Sequence, residues 1–298
     1  MIPPKVLILG ATGMLGHTLF RDLTATRTVD VYGTARSVAA AREAAPAALA
    51  ERIVPGVDAL NMDSVSRVLG ELQPDIVVNC VGVIKQDPGV KDLIRTISVN
   101  SLFPHLLAQE CARLGARLIH VSTDCVFSGA RGGYKETDNP DPSDGYGRSK
   151  LIGELTEAPC LTLRTSIIGH EIGTRRSLVD WFLSQTGVVN GYTRAIYTGV
   201  TTTEFANLLS TVVFPRPELI GLLQVASQPI SKYELLRLIA QEYGWEGTIE
   251  PYDDFVCDRS LSGDAFHALT GYRPPAWPAM IAEMRRADAP SPAASVPR

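Results

Sequence analysis

A tyrosine and a lysine stand four residues apart in the segment Tyr146-Gly-Arg-Ser-Lys150. The pattern of residues 149–157 is typical of a helix, so Tyr146 and Lys150 are predicted to share one helical face. An ammonium beside a phenol favours the phenolate, and we expect it to lower the pKa of Tyr146 from its usual value of about 10. Such a hydroxyl can give a proton to a carbonyl oxygen and take it back, which is the acid chemistry of ketone reduction.

Thr123 lies at the carboxyl end of the predicted strand that precedes this helix. Its hydroxyl can hydrogen-bond the same carbonyl oxygen that Tyr146 would protonate. We therefore predict Thr123, Tyr146 and Lys150 as the catalytic residues of a site that reduces a ketone. Such a site needs a source of hydride beside it.

The amino-terminal segment has the pattern of a site for that source. Residues 5–9 form a short apolar run typical of a buried strand. Gly10-Ala-Thr-Gly13-Met-Leu-Gly16 follows it, and residues 14–23 then have a helical pattern. Glycines between a strand and a helix let the backbone approach a pyrophosphate at the helix N-terminus, which indicates dinucleotide binding. The predicted cofactor contacts in this loop are Gly10, Thr12, Gly13, Met14, Leu15 and Gly16.

Strands alternate with helices through the first half of the chain, which predicts a parallel sheet with helices on both faces. Further strands are predicted at 29–32, 53–57, 76–81, 117–121, 160–168 and 222–226. Further helices are predicted at 64–72, 99–114, 177–184, 201–214 and 232–243. The fold class expected from this order is α/β, with a doubly wound parallel Rossmann sheet.

Composition narrows the class of protein. The 298 residues are 45% hydrophobic and 20% charged, as in an ordinary globular protein, and the net charge of −4 argues against nucleic acid as a partner. No apolar run is long enough to span a membrane, and the amino terminus lacks the pattern of a signal peptide. The five cysteines are odd in number and have no metal-ligand spacing, so we expect no metal site and a cytoplasmic location.

The residues after the second predicted strand bear on the choice of cofactor. An acidic residue there usually holds the adenosine ribose in NAD-binding folds. Thr34 falls near that position instead, and Arg36 and Ser37 follow it. A guanidinium matches a 2′-phosphate through bidentate hydrogen bonds, so we predict NADP(H), with Arg36 at the 2′-phosphate. Ser37 is predicted as a further cofactor contact. The alternative is that Arg36 is only a solvated loop residue.

These motifs, taken in order, resemble the extended short-chain dehydrogenase/reductase family. The resemblance rests on the glycine loop from Gly10 to Gly16, on Thr123, and on Tyr146-x-x-x-Lys150. Segments 121–129, 134–138 and 146–154 are most similar to the dTDP-4-dehydrorhamnose reductase branch, and the match extends over roughly residues 5–170. The resemblance implies NADPH-dependent reduction of the 4-keto group of a nucleotide-linked 6-deoxysugar for surface polysaccharide synthesis.

The same resemblance implies a domain organisation. Residues 1–168, with about 196–227, would form the NADP-binding domain, and residues 169–195 and 228–286 a smaller substrate-binding lobe over the carboxyl edge of the sheet. The stretch 287–298, rich in Pro, Ala and Ser, indicates a disordered tail. A nucleotide-diphosphate sugar would be the substrate, and a homodimer is one option for the assembly.

Further site residues follow from the resemblance. Asp58 would accept from the adenine amino group, although a capping role explains it as well. Asn100 would support Lys150 through water, or is a buried amide bound to its neighbours. Arg194 and Arg259 resemble arginines near the substrate diphosphate, although each could be a surface residue. The cofactor contacts implied beyond the glycine loop are Asp58, Ala59, Asn79, Cys80, Val81, Gly82, Tyr146 and Lys150. The implied substrate contacts are Lys85, Thr123, Asp124, Cys125, Arg194 and Arg259.

Cys125 separates the leading function from its alternatives. Sugar dehydratases of this family carry a glutamate at that position, so a dehydratase is rejected. GDP-fucose synthases use a cysteine there to epimerise the sugar, but their partner histidine has no counterpart at 176–179. We therefore predict reduction without epimerisation and keep an epimerase or epimerase-reductase as alternatives. A non-catalytic NADP-binding regulatory subunit is the third interpretation, against which the intact set of Thr123, Tyr146 and Lys150 argues.

Overall fold

The apolar run at residues 5–9 is the first strand of a parallel sheet at the centre of the computed structural model, which describes residues 2–45 and 47–288. Within these residues the strands are β1 (Lys5–Leu9), β2 (Asp30–Ala35), β3 (Ile53–Pro55), β4 (Ile76–Asn79), β5 (Arg117–Thr123), β6 (Leu161–Thr165), β7 (Ile167–Ile168), β8 (Val188–Tyr192), β9 (Ala195–Tyr197), β10 (Val200–Thr201), β11 (Gly221–Gln224), β12 (Ile230–Ser231), β13 (Thr248–Tyr252) and β14 (Cys257–Asp258). Seven of them form the central sheet, in the order β11-β6-β5-β4-β1-β2-β3 with every pair parallel. The strand order reverses between β1 and β4, the place where such sheets bind ligands.

Helices cover both faces of this sheet. Within the same described residues they are α1 (Met14–Thr26), α2 (Val38–Ala44), α3 (Ala47–Ala50), α4 (Met62–Leu72), α5 (Leu93–Ile97), α6 (Phe103–Leu114), α7 (Gly145–Ile152), α8 (Leu178–Leu183), α9 (Thr202–Leu208), α10 (Lys232–Tyr243), α11 (Asp264–Thr270) and α12 (Trp277–Asp288). Single π-helical turns join α5 to α6 and extend α9.

The side chains of β1 show how the two faces are filled. Val6 and Ile8 belong to a core cluster that includes residues of α1, α9 and α12, whereas Leu7 and Leu9 belong to a second cluster with α4 and α6. A strand that is buried on both faces has no polar alternation, which explains the unbroken apolar run. Each such side chain stabilises the fold by roughly 1.5–3 kcal/mol through burial. The predicted doubly wound α/β fold is confirmed.

The helix that carries Tyr146 begins and ends earlier than the predicted 149–157. The Asp144 carboxylate caps it by accepting from a backbone N–H of its first turn at 2.8 Å. The helix ends at Gly153, where a Cβ atom would lie 1.9 Å from the carbonyl oxygen of Asn100. Tyr146 therefore lies in the first turn of α7 and not ahead of the helix.

Two further differences between the predicted and the observed elements bear on the site. The strand predicted at 160–168 is interrupted at Ser166, because β7 leaves the central sheet and pairs with β10. The helix predicted at 99–114 begins earlier, at Leu93, and passes through the π turn Ser98–Leu102. π turns occur frequently at functional sites, and this one contains Asn100.

The second half of the chain builds several small sheets beside the central one. β8 pairs with β13, and β9 lies between β12 and β14. β11 instead extends the central sheet beside β6, and α9 contributes to the core that contains α1. The predicted boundaries of the substrate-binding lobe stay a prediction.

The last helix of the described residues ends inside the predicted tail. Residues 287 and 288 of the predicted tail end α12, and residues 289–298 lie outside the described residues. In the described part of the chain, no helix combines the length and apolarity that crossing a lipid bilayer requires.

Candidate active site

A cleft of about 660 Å³ lies at the carboxyl edge of the central sheet, between the glycine loop, α7 and segments from the second half of the chain. The predicted site residues that line it are Gly13, Met14, Leu15, Asn79, Cys80, Val81, Gly82, Lys85, Thr123, Asp124, Cys125, Tyr146, Lys150 and Arg259. The predicted residues that do not line it are Gly10, Thr12, Gly16, Arg36, Ser37, Asp58, Ala59 and Arg194.

The structure brings the three predicted catalytic residues together on one wall of this cleft. Thr123 is the last residue of β5, and its Oγ1 accepts from the backbone N–H of Cys125 at 3.1 Å. Lys150 Nζ donates to the carbonyl oxygen of Val121 at 2.8 Å, so the same strand holds both residues. Tyr146 stands one turn before Lys150 on α7. A substrate carbonyl in the cleft would meet both hydroxyl groups.

The protonation of Tyr146 differs from the sequence-based expectation. Burial raises its pKa well above the usual value, and the nearby Cys125 acts in the same direction, while a hydrogen bond with Thr123 acts against them. Burial also lowers the pKa of Lys150, to about 8. The expected lowering of the Tyr146 pKa is therefore wrong for this arrangement, because burial is the largest influence on it and acts in the opposite direction. Tyr146 is a protonated phenol at neutral pH and can act as a proton donor.

Close backbone packing fixes the position of α7. A Cβ atom on Gly147 would lie 2.1 Å from the carbonyl oxygen of Cys125, so the loop after β5 rests directly on the first turn of the helix. Lys85 pairs with Asp144, the capping residue, at 2.8 Å. These contacts tie the start of α7 to the loops that follow β4 and β5.

The glycines of the first loop have different physical roles. Gly10 has a φ of +82°, and a Cβ atom on Gly16 would lie 2.1 Å from the carbonyl oxygen of Gly10, so the fold itself requires both glycines. Gly13 caps α1 without a side-chain hydrogen bond, and a Cβ atom there would meet only that oxygen, at 3.6 Å. The N-terminus of α1 is thus open at Gly13, and its backbone N–H groups and dipole fit a phosphate group.

The residues at the end of β2 fit a cofactor with a 2′-phosphate. Thr34 is buried within the strand, where its Oγ1 accepts from the backbone N–H of Gly10 at 3.1 Å. Arg36 follows the strand directly and is exposed, while the Ser37 hydroxyl caps α2 by accepting from a backbone N–H at 3.2 Å. After Asp30, the next acidic residue in the sequence is Glu43, so β2 itself places no carboxylate at its end.

Asn79, Asn100 and Asp58 are held by protein groups. Asn79 Oδ1 accepts from the backbone N–H of Val81 at 3.0 Å, which fixes the loop that passes along the cleft. Asn100 is buried, and its side chain bonds both backbone groups of Val83 and the Ser149 hydroxyl. This arrangement matches the interpretation of Asn100 as a buried amide bound to its neighbours. The Asp58 carboxylate accepts from the backbone N–H of residue 60 at 2.9 Å, which is a capping arrangement. Its predicted contact with adenine stays a prediction.

The two predicted substrate arginines have different surroundings. Arg259 lines the cleft, donates to the carbonyl oxygen of Phe127 at 2.9 Å, and places Nη1 3.6 Å from the Cys125 sulfur. Arg194 is exposed in the turn between β8 and β9, so the structure does not place it in the cleft.

Several cleft residues had no signal in the sequence. Arg176 and Lys232 add positive charge, and Tyr197 and Phe255 add aromatic surface. These residues come from separate segments of the second half of the chain, and only the tertiary fold brings them to one cleft. Arg176 directly precedes Ser177, whose side chain caps α8. This cap is a local sequence pattern, but it does not identify Arg176 as a cleft residue.

Comparison with known proteins decides the family. Residues 4–183 match the model of the family described as RmlD substrate binding domain. The chain belongs to this family. The predicted resemblance is confirmed, and the matched residues include the glycine loop, Thr123, Tyr146 and Lys150.

Relatives of this RmlD-type chain support the same conclusion. The spore coat polysaccharide biosynthesis protein SpsK of Bacillus subtilis is 35% identical over 172 residues, which cover 56% of this chain and 54% of the relative. A dTDP-4-dehydrorhamnose reductase of Burkholderia thailandensis is 32% identical over 167 residues, which cover 54% and 49%. The chain thus matches about half the length of these curated relatives.

A solved structure shows that the likeness in fold extends further. The crystal structure of dTDP-4-dehydrorhamnose reductase from Bacillus anthracis in complex with NADP matches with a TM-score of 0.78 and 22% identity. The match covers 96% of this chain and 99% of that one. The RmlD-type chain therefore has the fold of that reductase from end to end of the matched region.

Proposed function

We propose that this protein is an NADPH-dependent reductase that acts on the 4-keto group of a nucleotide-activated 6-deoxysugar. The observation that carries the proposal is the convergence of Thr123, Tyr146 and Lys150 on one wall of the cleft. The open N-terminus of α1 at Gly13 lines the same cleft. The cleft thus joins a proton donor to a site suited to a dinucleotide.

Thr123, Tyr146 and Lys150 have different roles in the proposed reduction. When bound, NADPH supplies the hydride that adds to the carbonyl carbon. Thr123 donates a hydrogen bond that orients the carbonyl oxygen, and Tyr146, which burial keeps protonated, donates its proton to that oxygen. Lys150, held by the carbonyl of Val121, places a positive charge beside the oxygen anion that develops.

The choice of NADP(H) rests on the end of β2. Thr34 lies near the position where an NAD-binding fold usually has an acidic residue, and Arg36, two residues later, is an exposed guanidinium. A guanidinium forms bidentate, charge-assisted hydrogen bonds with a phosphate. The complex of the Bacillus anthracis relative with NADP is consistent with this choice.

The proposed substrate matches the charge of the cleft. Four cationic side chains that line it could bind a diphosphate: Lys85, Arg176, Lys232 and Arg259. The names of the relatives point to a dTDP-linked deoxysugar and to polysaccharide synthesis. All five cysteines are free thiols, as a reducing compartment such as the cytoplasm maintains.

The state of Cys125 favours reduction without epimerisation. Burial raises the pKa of its thiol to about 12, and the charge of Asp124 adds to this, although the Arg259 guanidinium acts in the opposite direction. A thiol in this state is a poor base at neutral pH, because the thiolate is the form that abstracts a proton.

The proposal is tested with a panel of purified 4-keto sugar nucleotides, using the loss of NADPH absorbance as the measurement. Tyr146→Phe should lower turnover by at least ~10²-fold, as expected for loss of a positioned general acid, and leave NADP binding nearly intact. Tyr252→Phe is the matched control, since this tyrosine is exposed on β13 away from the cleft. Full activity of Tyr146→Phe would contradict the mechanism. Tight NADP binding without NADPH consumption on any ketosugar would support the regulatory-subunit alternative instead.

A further inference from the structure

Glu154 lies just beyond the end of α7, four residues after Lys150, which is itself four residues after Tyr146. Its side chain is only 5% exposed and pairs with Arg164, whose side chain is 3% exposed. The guanidinium binds both carboxylate oxygens at 2.7 Å, and Ser122 Oγ donates to Oε1 at 2.6 Å. Neither Glu154 nor Arg164 lines the cleft, whereas Ser122 does, so the charge pair lies behind the residues that form the wall.

A need for stability does not explain this pair. Removing two charges from water is expensive, and well-packed apolar residues in place of a buried ion pair are often neutral or stabilising. A buried pair beside reactive residues can instead position those residues or supply a fixed charge near them.

The pair is attached to the strand that carries the catalytic threonine. Three consecutive residues of β5 contact Tyr146 and Lys150 of α7 and Glu154, which follows the helix. The Val121 carbonyl accepts from Lys150, Ser122 donates to Glu154, and Thr123 contacts Tyr146. Arg164 lies opposite Ser122 in the register of β5 and β6. The network thus locks the helix onto both strands.

The charges around Lys150 show why the carboxylate matters. The titratable groups that interact with the ammonium are Cys80, which directly follows β4, His120 from β5, and Glu154, which follows α7. Tyr146 stands one turn earlier on the same helix. Burial raises the pKa of Cys80 to about 12 and lowers that of His120 well below its usual value, so both are neutral. Glu154 is then the carboxylate that opposes the effect of burial on the pKa of Lys150.

We propose that Glu154, held by Ser122 and Arg164, is a positioning residue that fixes Lys150 against β5 and supplies the negative charge that balances its ammonium. Its consequence for turnover rests on the proposed reductase function. Glu154 acts on the substrate only through Lys150. The bidentate grip of Arg164 holds the carboxylate in place, and removal of that carboxylate leaves Lys150 without its balancing charge.

The test compares Glu154→Gln with Glu157→Gln, the same change at an exposed glutamate three residues further along. The readout is the pH at which Lys150 titrates, measured from the rate of reductive methylation of Lys150 by formaldehyde and a borane, followed by mass spectrometry of its peptide. Glu154→Gln should lower this midpoint by about one pH unit, a tenfold change in the proton equilibrium. The alkaline limb of kcat/KM should move down by the same amount. Glu157→Gln should move neither.

A double variant keeps the inference testable if Glu154→Gln alone unfolds. Glu154→Gln with Arg164→Gln removes both charges, so it should fold better than the single variant while its Lys150 midpoint stays below that of the wild type. If Lys150 titrates at the wild-type pH in Glu154→Gln, or in the double variant, the pair has only a structural role and the inference is wrong. A shifted midpoint without reduction of any ketosugar would preserve this inference and overturn the proposed function. Ketosugar reduction with an unshifted Lys150 midpoint would support the proposed function and overturn this inference.

Discussion

Arg36 is the side chain that selects between the two nicotinamide cofactors in the proposed function. Arg36→Ala should reduce the preference for NADPH over NADH about tenfold or more, because a charge-assisted hydrogen bond contributes ~1.5–3 kcal/mol. The loss should appear as weaker use of NADPH and not as better use of NADH, measured as kcat/KM for each cofactor. Arg42→Ala, an exposed arginine on α2, is the matched control. Equal use of both cofactors by the unmodified protein would refute the assignment.

Cys125 is the side chain that separates a plain reductase from an epimerase-reductase. Because burial raises the pKa of its thiol to about 12, we expect no exchange of the protons beside the ketone. The measurement is incubation of a 4-keto sugar nucleotide with the protein in deuterated water, followed by mass spectrometry and NMR. Deuterium at C3 or C5 that disappears in Cys125→Ser would show epimerisation, against the prediction.

Single residues also show where sequence reasoning succeeds and where it stops. The positions of Tyr146 and Lys150 follow from a spacing of four on one helix, so the sequence predicts them. The direction of the Tyr146 pKa shift does not follow, because burial is a property of the tertiary structure. The same limit applies to Arg176 and Lys232, which only the folded chain brings to the cleft.

The glycine loop and α1 form the element on which cofactor binding depends, and its glycines can be separated experimentally. Gly16→Ala should destabilise the protein by about 1–3 kcal/mol, because the new Cβ atom would lie 2.1 Å from the carbonyl oxygen of Gly10. Gly13→Ala should leave the free energy of unfolding nearly unchanged, since its Cβ atom has 3.6 Å of room. It should nevertheless weaken NADP binding about tenfold or more, because the methyl group covers the helix N-terminus.

Urea unfolding and NADP titration of the two variants make the comparison. Equal loss of stability in both variants would show that the fold requires Gly13 as well. Unaltered NADP affinity in Gly13→Ala would show that no cofactor phosphate binds at the N-terminus of α1.

Elements with their own periodic pattern were predictable, whereas elements that depend on partners were not. β1, α1 and α10 have a clear apolar run or helical period, and α10 matches the predicted 232–243 in both bounds. Some strands are only two residues long and are defined by their pairing partners, so no local sequence pattern predicts them; these are β7, β10 and β12. The break at Ser166 has the same origin, because β7 finds its partner in β10.

For the molecule as a whole, the buried ammonium of Lys150 opposes folding. Lys150 is 6% exposed, and its pKa of about 8 lies below the usual 10.5 of the unfolded chain. The unfolded chain therefore binds the extra proton between these two values, and stability rises with pH across that window. Below about pH 8 the full penalty applies, roughly 3 kcal/mol, at 1.36 kcal/mol per pKa unit. Above about pH 10.5 both states are neutral, and the penalty disappears.

Lys150→Met should therefore stabilise the folded protein while it abolishes turnover. We expect a gain of roughly 1–3 kcal/mol in the free energy of unfolding at pH 7, because methionine keeps much of the aliphatic volume without the charge. The gain should shrink from pH 8 towards pH 10.5, as the wild-type lysine loses its proton in the unfolded chain too. Urea unfolding of the ligand-free protein at several pH values measures it, with Lys135→Met, at an exposed lysine, as the control. A variant that is less stable than the wild type at pH 7 would show that Lys150 contributes more through its bond to Val121 than its burial removes.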